Sequence, residues 1–314
     1  MESKNKCSRC NRDSVTELSY LGESLCKRCF SQLFEKRVKK TVRLNKLLAR
    51  DDRIGVALSG GKDSAVALYI MKKLVDSVPS SELVAYSIDE GIEGFRDKSI
   101  KAASGLCEQL EIEHRVYSFR ESYGFTIDEL VGKPGPDKRA PVCSYCGVLR
   151  RKLLNEKGRD LSLDKIVTGH NLDDEVQTSL MNYIRGDLER IERMGANVGV
   201  LKDAGFVPRI KPLRECPVEE ILEYAKIKEI PFYSKRCPYS GEAFRQTIRK
   251  VIDLLEDNHP GSRFQILNST DNLTKKLKAN RVYGKINQCI ICGYPTSKEK
   301  CRACQIAEEL GLDN

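Results

Sequence analysis

The sequence lacks a long apolar run and an apolar N-terminal segment. None of the apolar stretches in its 314 residues reaches the length of a membrane-spanning helix, about 18 residues. The first residues, Met1–Lys6, are polar, whereas a secretory signal peptide needs an apolar core. The composition of a disordered chain is also absent, because 40% of the residues are hydrophobic. We therefore predict a folded cytoplasmic protein of about two domains that is neither secreted nor membrane-bound.

Cysteine, by contrast, is abundant, and the chain contains 13 of them. A cytosolic protein keeps its thiols reduced, so this density favours metal sites over disulfides. Basic residues are also in excess, because 54 Lys and Arg stand against 45 Asp and Glu and give a net charge of +9. Together the two features indicate a metalloprotein with an anionic partner.

Eight of the cysteines form two sets with the spacing C-x2-C…C-x2-C. The sets are Cys7, Cys10, Cys26 and Cys29, and Cys289, Cys292, Cys301 and Cys304. Two C-x2-C turns close a tetrahedral site and leave no open position, which is typical of structural zinc. We therefore predict an N-terminal zinc ribbon at 1–33 and a C-terminal zinc ribbon at 286–314. Rubredoxin-like iron and metal-free surface thiols are the alternatives.

Five cysteines remain. Cys143 and Cys146 form a third C-x2-C pair with no fourth pair after it, and Cys216 and Cys237 each precede a proline. Such a set could form an incomplete zinc site, a redox dithiol or a three-cysteine iron–sulfur site with one iron left open. Cys107 falls on the apolar face of a predicted helix, and we interpret it as a buried core thiol.

Strands alternate with helices over a domain that we place at 34–240. Strands are predicted at 54–58, 83–88, 114–119 and 165–168 with an extended piece at 207–213, helices at 98–110, 146–155, 172–185 and 218–229, and loops at 132–141 and 185–204. This order predicts an α/β fold with a doubly wound parallel sheet, covered on both faces, that binds ligands at the carboxyl ends of its strands. A basic helical segment at 241–285 follows.

A basic amphipathic helix is predicted to lead into this domain, at 31–50. Its apolar stripe includes Phe34, Val38 and Leu44, and basic residues such as Arg37 and Lys40 cover much of the rest. Such a face is either simply solvated or binds nucleic acid, and the zinc ribbons and the positive chain keep the second reading open.

The segment 59–64, S-G-G-K-D-S, lies between a buried predicted strand and a predicted helix. Its two glycines let backbone N–H groups approach an oxyanion at the positive end of the helix. Lys62 can neutralise phosphate, Ser59 and Ser64 can donate hydroxyl groups, and Asp63 can cap the helix or hold Mg²⁺. The segment does not fit the Walker A pattern.

This segment resembles the pyrophosphate loop of the N-type ATP pyrophosphatases, which activate a carbonyl oxygen with AMP and release pyrophosphate. Further blocks are S-I-D-E-G-I at 87–92, G-F-R-D at 94–97, C-S-Y-C-G at 143–147, T-G-H-N-L-D-D-E at 168–175 and M-N-Y-I-R-G-D at 181–187. With both four-cysteine sets, these blocks resemble the tRNA 2-thiouridine synthetases (the TtuA/NcsA group and its eukaryotic cytosolic relatives) over essentially the whole chain. They are more similar to the branch that acts on the wobble uridine than to the branch that acts on the T-loop uridine.

The resemblance implies a Rossmann-like PP-loop domain that binds ATP with Mg²⁺. The implied ATP-binding residues are Ala57, Leu58, Ser59, Gly60, Gly61, Lys62, Asp63, Ser64, Ser87, Ile88, Arg150, Gly169 and His170. Within this set, the strand ends at 57–59 and 87–88 would hold adenosine through backbone groups, and 59–64 would cradle the phosphates.

The resemblance also implies catalytic roles for Asp174, Lys62 and Arg150. Asp174 would be an acid/base or a Mg²⁺-associated carboxylate, with Asp173 as the second choice, whereas the structural alternative for both is an acidic helix start. Arg150 stands where relatives often carry lysine. Because arginine cannot realistically accept a proton, its implied role is to stabilise charge.

Cys143, Cys146 and Cys237 occupy the positions that bind a [4Fe–4S] cluster in this group. Three ligands would leave one iron open to hold exogenous sulfide. The competing interpretation is a persulfide on Cys143 or Cys146 that Cys237 resolves. Cys216 is taken as structural.

The implied activity is that of an ATP-dependent tRNA uridine 2-sulfurtransferase, in which O2 of the uridine is adenylated and sulfur then displaces AMP. The tRNA would account for the positive charge. The sulfur donor would be sulfide or a ubiquitin-like thiocarboxylate protein, and relatives suggest a homodimer. Two rivals are an amidating or lysidine-type ligase, which has no need of the three cysteines, and a non-catalytic RNA-binding zinc protein, which has no need of the intact loop at 59–64.

Overall fold

The computed structural model describes residues 6–78, 80–131, 142–198, 205–240, 243–279 and 286–311. The strands are β1 (Thr16–Leu18), β2 (Glu23–Leu25), β3 (Arg53–Ala57), β4 (Glu82–Asp89), β5 (His114–Ser118), β6 (Lys165–Val167), β7 (Asn197–Val198), β8 (Arg209–Ile210), β9 (Asn287–Gln288) and β10 (Pro295–Thr296). The helices are α1 (Lys27–Leu44), α2 (Lys62–Val75), α3 (Arg96–Gln109), α4 (Phe119–Tyr123), α5 (Ile127–Leu130), α6 (Val142–Asp160), α7 (Leu172–Arg185), α8 (Leu188–Glu192), α9 (Val218–Ile227), α10 (Ala243–Asn258), α11 (Ser262–Ala279) and α12 (Arg302–Glu309).

Six strands form the central sheet, in the order β5-β4-β3-β6-β8-β7. The five strands from β5 to β8 are parallel, and the edge strand β7 is antiparallel to β8. The predicted α/β fold is therefore confirmed, with one antiparallel edge strand added. The predicted loop at 185–204 is wrong over its described part, which contains α8 and β7. The remaining residues of that loop, and the loop predicted at 132–141, lie outside the described residues.

Side chains alternate between the two faces of the sheet, as a strand period of two requires. Val84 and Tyr86 of β4 face a cluster that includes Leu154 of α6. Ala85, between them, belongs to the larger core that α1, α2 and α9 cover. Burial on both faces explains why the central strands consist of nearly continuous apolar runs.

Helix α1 begins and ends earlier than the predicted helix at 31–50. It begins inside the first cysteine set, where Cys26 is the N-cap, and it ends at Leu44. Leu44, which was predicted to lie in the apolar stripe, is 61% exposed. Arg37 was predicted to belong to the basic face, but it pairs with buried Glu220 at 2.7 Å. The helix also continues across residue 33, where the boundary between the first ribbon and the next domain is predicted. The division into domains stays a prediction.

The predicted helical segment after residue 241 forms two helices, α10 and α11, which pack on α7. Val176, Ile248 and Leu267 form part of their shared core. Buried hydroxyl groups also join these helices, since Thr270 Oγ1 donates to Ser179 Oγ at 3.0 Å. Among the helices in the described ranges, none has the length and apolar character needed to cross a membrane.

Candidate nucleotide site and cysteine centres

The loop between β3 and α2 is pressed against the start of α3. Gly60 has a φ of +82°, and a Cβ atom there would lie 2.0 Å from the carbonyl oxygen of Ser99. The N–H of Tyr233 donates to the carbonyl oxygen of Gly60 at 2.8 Å. Only glycine combines this backbone conformation with this close approach, so the second residue of the S-G-G-K-D-S segment has a steric explanation.

Side-chain hydroxyls and carboxylates fix the shape of this loop. The N–H of Ser59 donates to Ser64 Oγ at 3.1 Å, and Ser64 Oγ donates to the carbonyl oxygen of Gly61 at 3.0 Å. Asp63 accepts hydrogen bonds from Lys62 Nζ at 2.8 Å and from Asn171 Nδ2 at 3.0 Å. Helix α2 has no side-chain hydrogen bond at its N-cap. Its first N–H groups are therefore available to an anion such as phosphate.

A cavity of about 310 Å³ opens at the carboxyl ends of the parallel strands. Ten of the residues predicted for ATP binding or catalysis line it: Ala57, Leu58, Ser59, Asp63, Ser64, Ile88, Arg150, Gly169, His170 and Asp174. The predicted residues outside the lining are Gly60, Gly61, Lys62 and Ser87. Ser87 is 1% exposed, and its hydroxyl donates to the carbonyl oxygen of Leu58 at 2.6 Å, so its side chain holds the sheet rather than facing the cavity.

Glu90 and Arg96 also line the cavity, and sequence reasoning gave them no role. Glu90 is 3% exposed, and its carboxylate pairs with Arg96 Nε at 2.7 Å and with Arg150 NH1 at 3.3 Å. Arg96 donates to the carbonyl oxygens of Ser59, at 3.0 Å, and of Ile88. Arg96 therefore ties the ends of β3 and β4 together. Glu90 lies in the block S-I-D-E-G-I and Arg96 in the block G-F-R-D. Their presence in these blocks is the sequence feature that could have indicated a role at the site.

The adjacent aspartates at the start of α7 have different surroundings. Asp174 forms a capping box with Asn171 and lines the cavity. Burial raises the pKa of its carboxyl group, and nearby Asp63 acts in the same direction. Asp173 does not line the cavity: it pairs with Arg263 at 3.0 Å and accepts a hydrogen bond from the N–H of Val218 at 2.8 Å. A structural role accounts for Asp173.

His170 is a neutral component of the cavity wall. Its Nδ1 lies 2.9 Å from Thr168 Oγ1. Burial lowers the pKa of His170 to about 4, and the nearby charge of Lys211 adds to this effect. The imidazole is therefore uncharged at pH 7 and can contact a nucleoside without adding a positive charge.

Cys143, Cys146 and Cys237 come together beside the cavity. Cys143 Sγ donates to the carbonyl oxygen of Tyr239 at 2.6 Å, which docks the Cys-Pro turn onto the N-terminal end of α6. The pKa of Cys146 is raised to about 12, chiefly by burial; Glu90, Cys237 and Cys143 act in the same direction, and Arg150 opposes them. Arg150 lies one turn after Cys146 on α6 and pairs with Glu90, so it connects the cysteines to the cavity.

Each four-cysteine set converges on a single point. In both sets, the four sulfur atoms all lie within 4.8 Å of one another. The sulfur–sulfur distances are 3.5 Å for Cys10 and Cys26 and 3.7 Å for Cys292 and Cys301. A tetrahedron with zinc–sulfur bonds of about 2.3 Å has sulfur–sulfur edges of about 3.8 Å. Each set therefore fits a zinc ion of its own. No other such group occurs in the described ranges. The three-cysteine centre is wider, which suits thiolates that bind different irons of one cluster.

The last two thiols belong to none of these three centres. Cys107 is 1% exposed and Cys216 is 0% exposed, and both belong to the core that α2 and α9 cover. The predictions of a core thiol at Cys107 and a structural thiol at Cys216 agree with this burial. Because all 13 cysteines are thereby placed, the chain offers no fourth thiol to the three-cysteine centre.

The parallel sheet, the glycine loop and the cavity define an ATP-binding protein of the PP-loop class, and residues 30–255 match the family described as PP-loop domain. The chain belongs to the tRNA 2-thiolation family within this class, which confirms the resemblance seen in the sequence.

Three similar proteins illustrate the match. The chain is 40% identical over 320 residues to the tRNA 2-thiolation protein NcsA of Haloferax volcanii, covering 97% of this chain and 99% of that protein. It is 37% identical to the cytoplasmic tRNA 2-thiolation protein 1 of Candida glabrata, covering 92% of this chain and 81% of that protein. The solved structure of the U34-tRNA thiolase NcsA from Methanococcus maripaludis, described with its [4Fe-4S] cluster, has a TM-score of 0.84 at 34% identity and covers 100% and 99% of the two chains.

Proposed function

We propose that the protein is an ATP-dependent tRNA uridine 2-sulfurtransferase that acts on the wobble uridine, position 34. The observation that carries the proposal is the contact between two centres. Arg150 lines the nucleotide cavity and lies one turn from Cys146, and Glu90 fixes it there. A site that only binds nucleotide has no need of three thiols beside it. The similarity to a U34-tRNA thiolase at 34% identity over the whole chain supports the choice of uridine.

The chemistry would proceed in two steps. O2 of the uridine attacks the α-phosphate of ATP, and pyrophosphate leaves. Hydrosulfide then attacks C2, and AMP leaves with the former O2. The loop at 59–64 and Lys62 would hold the phosphates, with Mg²⁺ as counter-ion, and Arg150 would stabilise the negative charge that develops. Asp174, with its raised pKa, would hold or move a proton at the reacting uridine or assist Mg²⁺.

The three-cysteine centre fits a [4Fe–4S] cluster, with Cys143, Cys146 and Cys237 as its ligands. When bound, the cluster would supply an iron without a protein ligand, at which hydrosulfide can be held out of solvent. The two four-cysteine sets would each hold a structural zinc ion. The tRNA would be the macromolecular substrate. The cytoplasmic location, the homodimer and the choice between sulfide and a thiocarboxylate protein as donor stay predictions.

The direct test is thiolation under anaerobic conditions. We expect pyrophosphate release that requires tRNA, ATP and Mg²⁺, with sulfide needed for turnover beyond one equivalent. We also expect 2-thiouridine at position 34, detected by mass spectrometry of tRNA fragments, only when sulfide is present. A tRNA with cytidine at position 34 is the matched control and should release no pyrophosphate. Metal-replete protein that releases none with the uridine-containing tRNA would contradict the function, and thiolation at position 54 would contradict the choice of uridine.

The two neighbouring aspartates give a second test. Asp174→Asn keeps an acceptor for the helix cap but cannot take part in proton transfer, so we expect pyrophosphate release to fall by about 100-fold or more with the unfolding temperature nearly unchanged. Asp173→Asn is the control: because Asp173 faces Arg263 instead of the cavity, any loss of rate should follow a loss of stability. The roles would be wrong if Asp173→Asn lost activity while its unfolding curve matched that of the wild type.

A further inference from the structure

A second groove opens beside the nucleotide cavity and has a volume of about 420 Å³. Its walls are helix α6, the segment that leads into β8, and the C-terminal ribbon. Asn155 joins the first two walls, since it accepts from the N–H of Val207 at 2.8 Å and donates to the carbonyl oxygen of Gly205 at 3.2 Å. The ribbon contributes Tyr294, whose ring packs edge-on against Phe206 at 5.7 Å. We call this space the basic groove.

The charge of the basic groove has one sign. Its cationic lining residues are Arg151, Lys152, Arg193, Arg209 and Arg302, and its lining contains no Asp or Glu. Lys152, Arg193 and Arg302 each pair with a glutamate outside the lining. Arg151 and Arg209 have no carboxylate within ion-pair distance among the described residues. Partial desolvation lowers the pKa of both guanidinium groups, and for Arg151 the nearby charge of Arg209 acts in the same direction.

The two unpaired arginines connect the groove to the nucleotide cavity. Arg151 and Arg209 line both spaces. Arg209 extends from β8, and Arg151 follows Arg150 directly on α6. An anion held by Arg151 and Arg209 would therefore lie where the groove and the nucleotide cavity meet.

We propose that the basic groove binds the sugar-phosphate backbone of the RNA strand next to the target uridine, with Arg151 and Arg209 as its phosphate-binding residues. This inference rests on the proposed function, and it assigns the RNA subsite within it.

The chemistry of the groove fits single-stranded RNA in particular. A uridine inside a folded anticodon loop must be splayed out before its O2 can reach ATP. The splayed conformation leaves the neighbouring phosphates as the groups that can be gripped, and arginine donates two parallel hydrogen bonds to a phosphate. Exposed faces of Phe206 or Tyr294 would offer a neighbouring base a surface for stacking. The C-terminal ribbon, which forms one wall, then acquires a role in positioning the RNA.

The test is tRNA binding as a function of salt, measured by fluorescence anisotropy from about 50 to about 200 mM potassium chloride. We expect Arg151→Gln and Arg209→Gln each to weaken tRNA binding about tenfold and to lower the slope of log Kd against log salt by about one. The matched control is Arg115→Gln, which removes the same charge from β5, at the opposite edge of the sheet, and should leave the slope unchanged. ATP binding to each variant is measured in parallel, and its loss should be much smaller than the loss in tRNA affinity.

Three outcomes would overturn the proposal. They are an unchanged salt slope in both groove variants, an equal effect of Arg115→Gln, and a loss of ATP affinity as large as the loss of tRNA affinity, which would assign the arginines to the phosphates of ATP. If glutamine at 209 disturbs the strand, Arg209→Lys keeps the charge and the stem but loses the bidentate geometry, and it should still weaken binding. The assay needs no turnover, so wild-type protein that binds tRNA without thiolating it would contradict the proposed function alone.

Discussion

Replacing Cys143, Cys146 or Cys237 by alanine is expected to remove the iron and labile sulfide from anaerobically purified protein, while two zinc ions remain. The wild type should contain about four irons and about two zincs per chain. Each of the three thiols would bind a different iron, and the other ten cysteines are committed elsewhere. Eight belong to the two four-cysteine sets, and Cys107 and Cys216 are enclosed in the other core. Loss of one ligand should therefore release the whole cluster and abolish thiolation.

The measurement is iron, sulfide and zinc quantified on the same sample, together with the visible absorption spectrum. Cys107→Ala is the matched control: it also removes one thiol, but from the hydrophobic core, and it should keep all three metal values. A brown chromophore that survives the three single substitutions unchanged would contradict the ligand assignment. Wild-type protein that contains no iron, yet thiolates tRNA and carries sulfur releasable by a thiol reductant, would favour the persulfide alternative.

The two kinds of cysteine centre differ in how far the sequence could predict them. Each zinc set consists of local turns that begin and end within about 25 residues, so its spacing alone predicts one tetrahedral ion. The three-cysteine centre joins Cys143 and Cys146 to Cys237, although β6, β7 and β8 lie between them in the sequence. The cysteine spacing there is compatible with an incomplete zinc site, a redox dithiol or an iron–sulfur site. Only the resemblance to a family favours the iron–sulfur cluster. The Cys-Pro turn contacts α6 through the backbone carbonyl of Tyr239, and a contact to a backbone atom cannot be predicted from a pattern of side chains.

The sequence-based predictions that differ from the structure, at helix α1, Arg37, Glu90 and Arg96, each have a physical explanation. Helix α1 was predicted four residues late because its first turn is part of the first cysteine set, where Cys26 serves as the N-cap. Arg37 was grouped with exposed basic residues, since an amphipathic pattern cannot show that a distant carboxylate, Glu220, will neutralise it. The same limit hid Glu90 and Arg96, which act on the site through a buried ion pair. Partner choice between distant charged residues is a tertiary property.

Gly60→Ala is expected to lower ATP affinity by about 10- to 100-fold, because a hydrogen bond from a backbone N–H to a charged phosphate is worth about 1.5–3 kcal/mol. The new Cβ would lie 2.0 Å from the carbonyl oxygen of Ser99, which is backbone of α3 and cannot rotate away. The loop must therefore move, and with it the hydrogen bond from Tyr233 to Gly60. The N–H groups at the start of α2 would then no longer point at the phosphates. Calorimetric titration with ATP measures the loss.

A second substitution separates this collision from backbone strain. Gly124 has a φ of +78°, close to the +82° of Gly60, but a Cβ there has nothing within 4 Å. Gly124→Ala should therefore cost about 1 kcal/mol of folding stability, from the left-handed conformation alone, and leave ATP binding intact. Strain common to both variants cancels in the comparison, so any loss of ATP affinity specific to Gly60→Ala measures the close approach of the loop to α3. Equal ATP affinities in the two variants would mean that the loop tolerates displacement, and the phosphates would then have to be held chiefly by Lys62 and the arginines of the cavity.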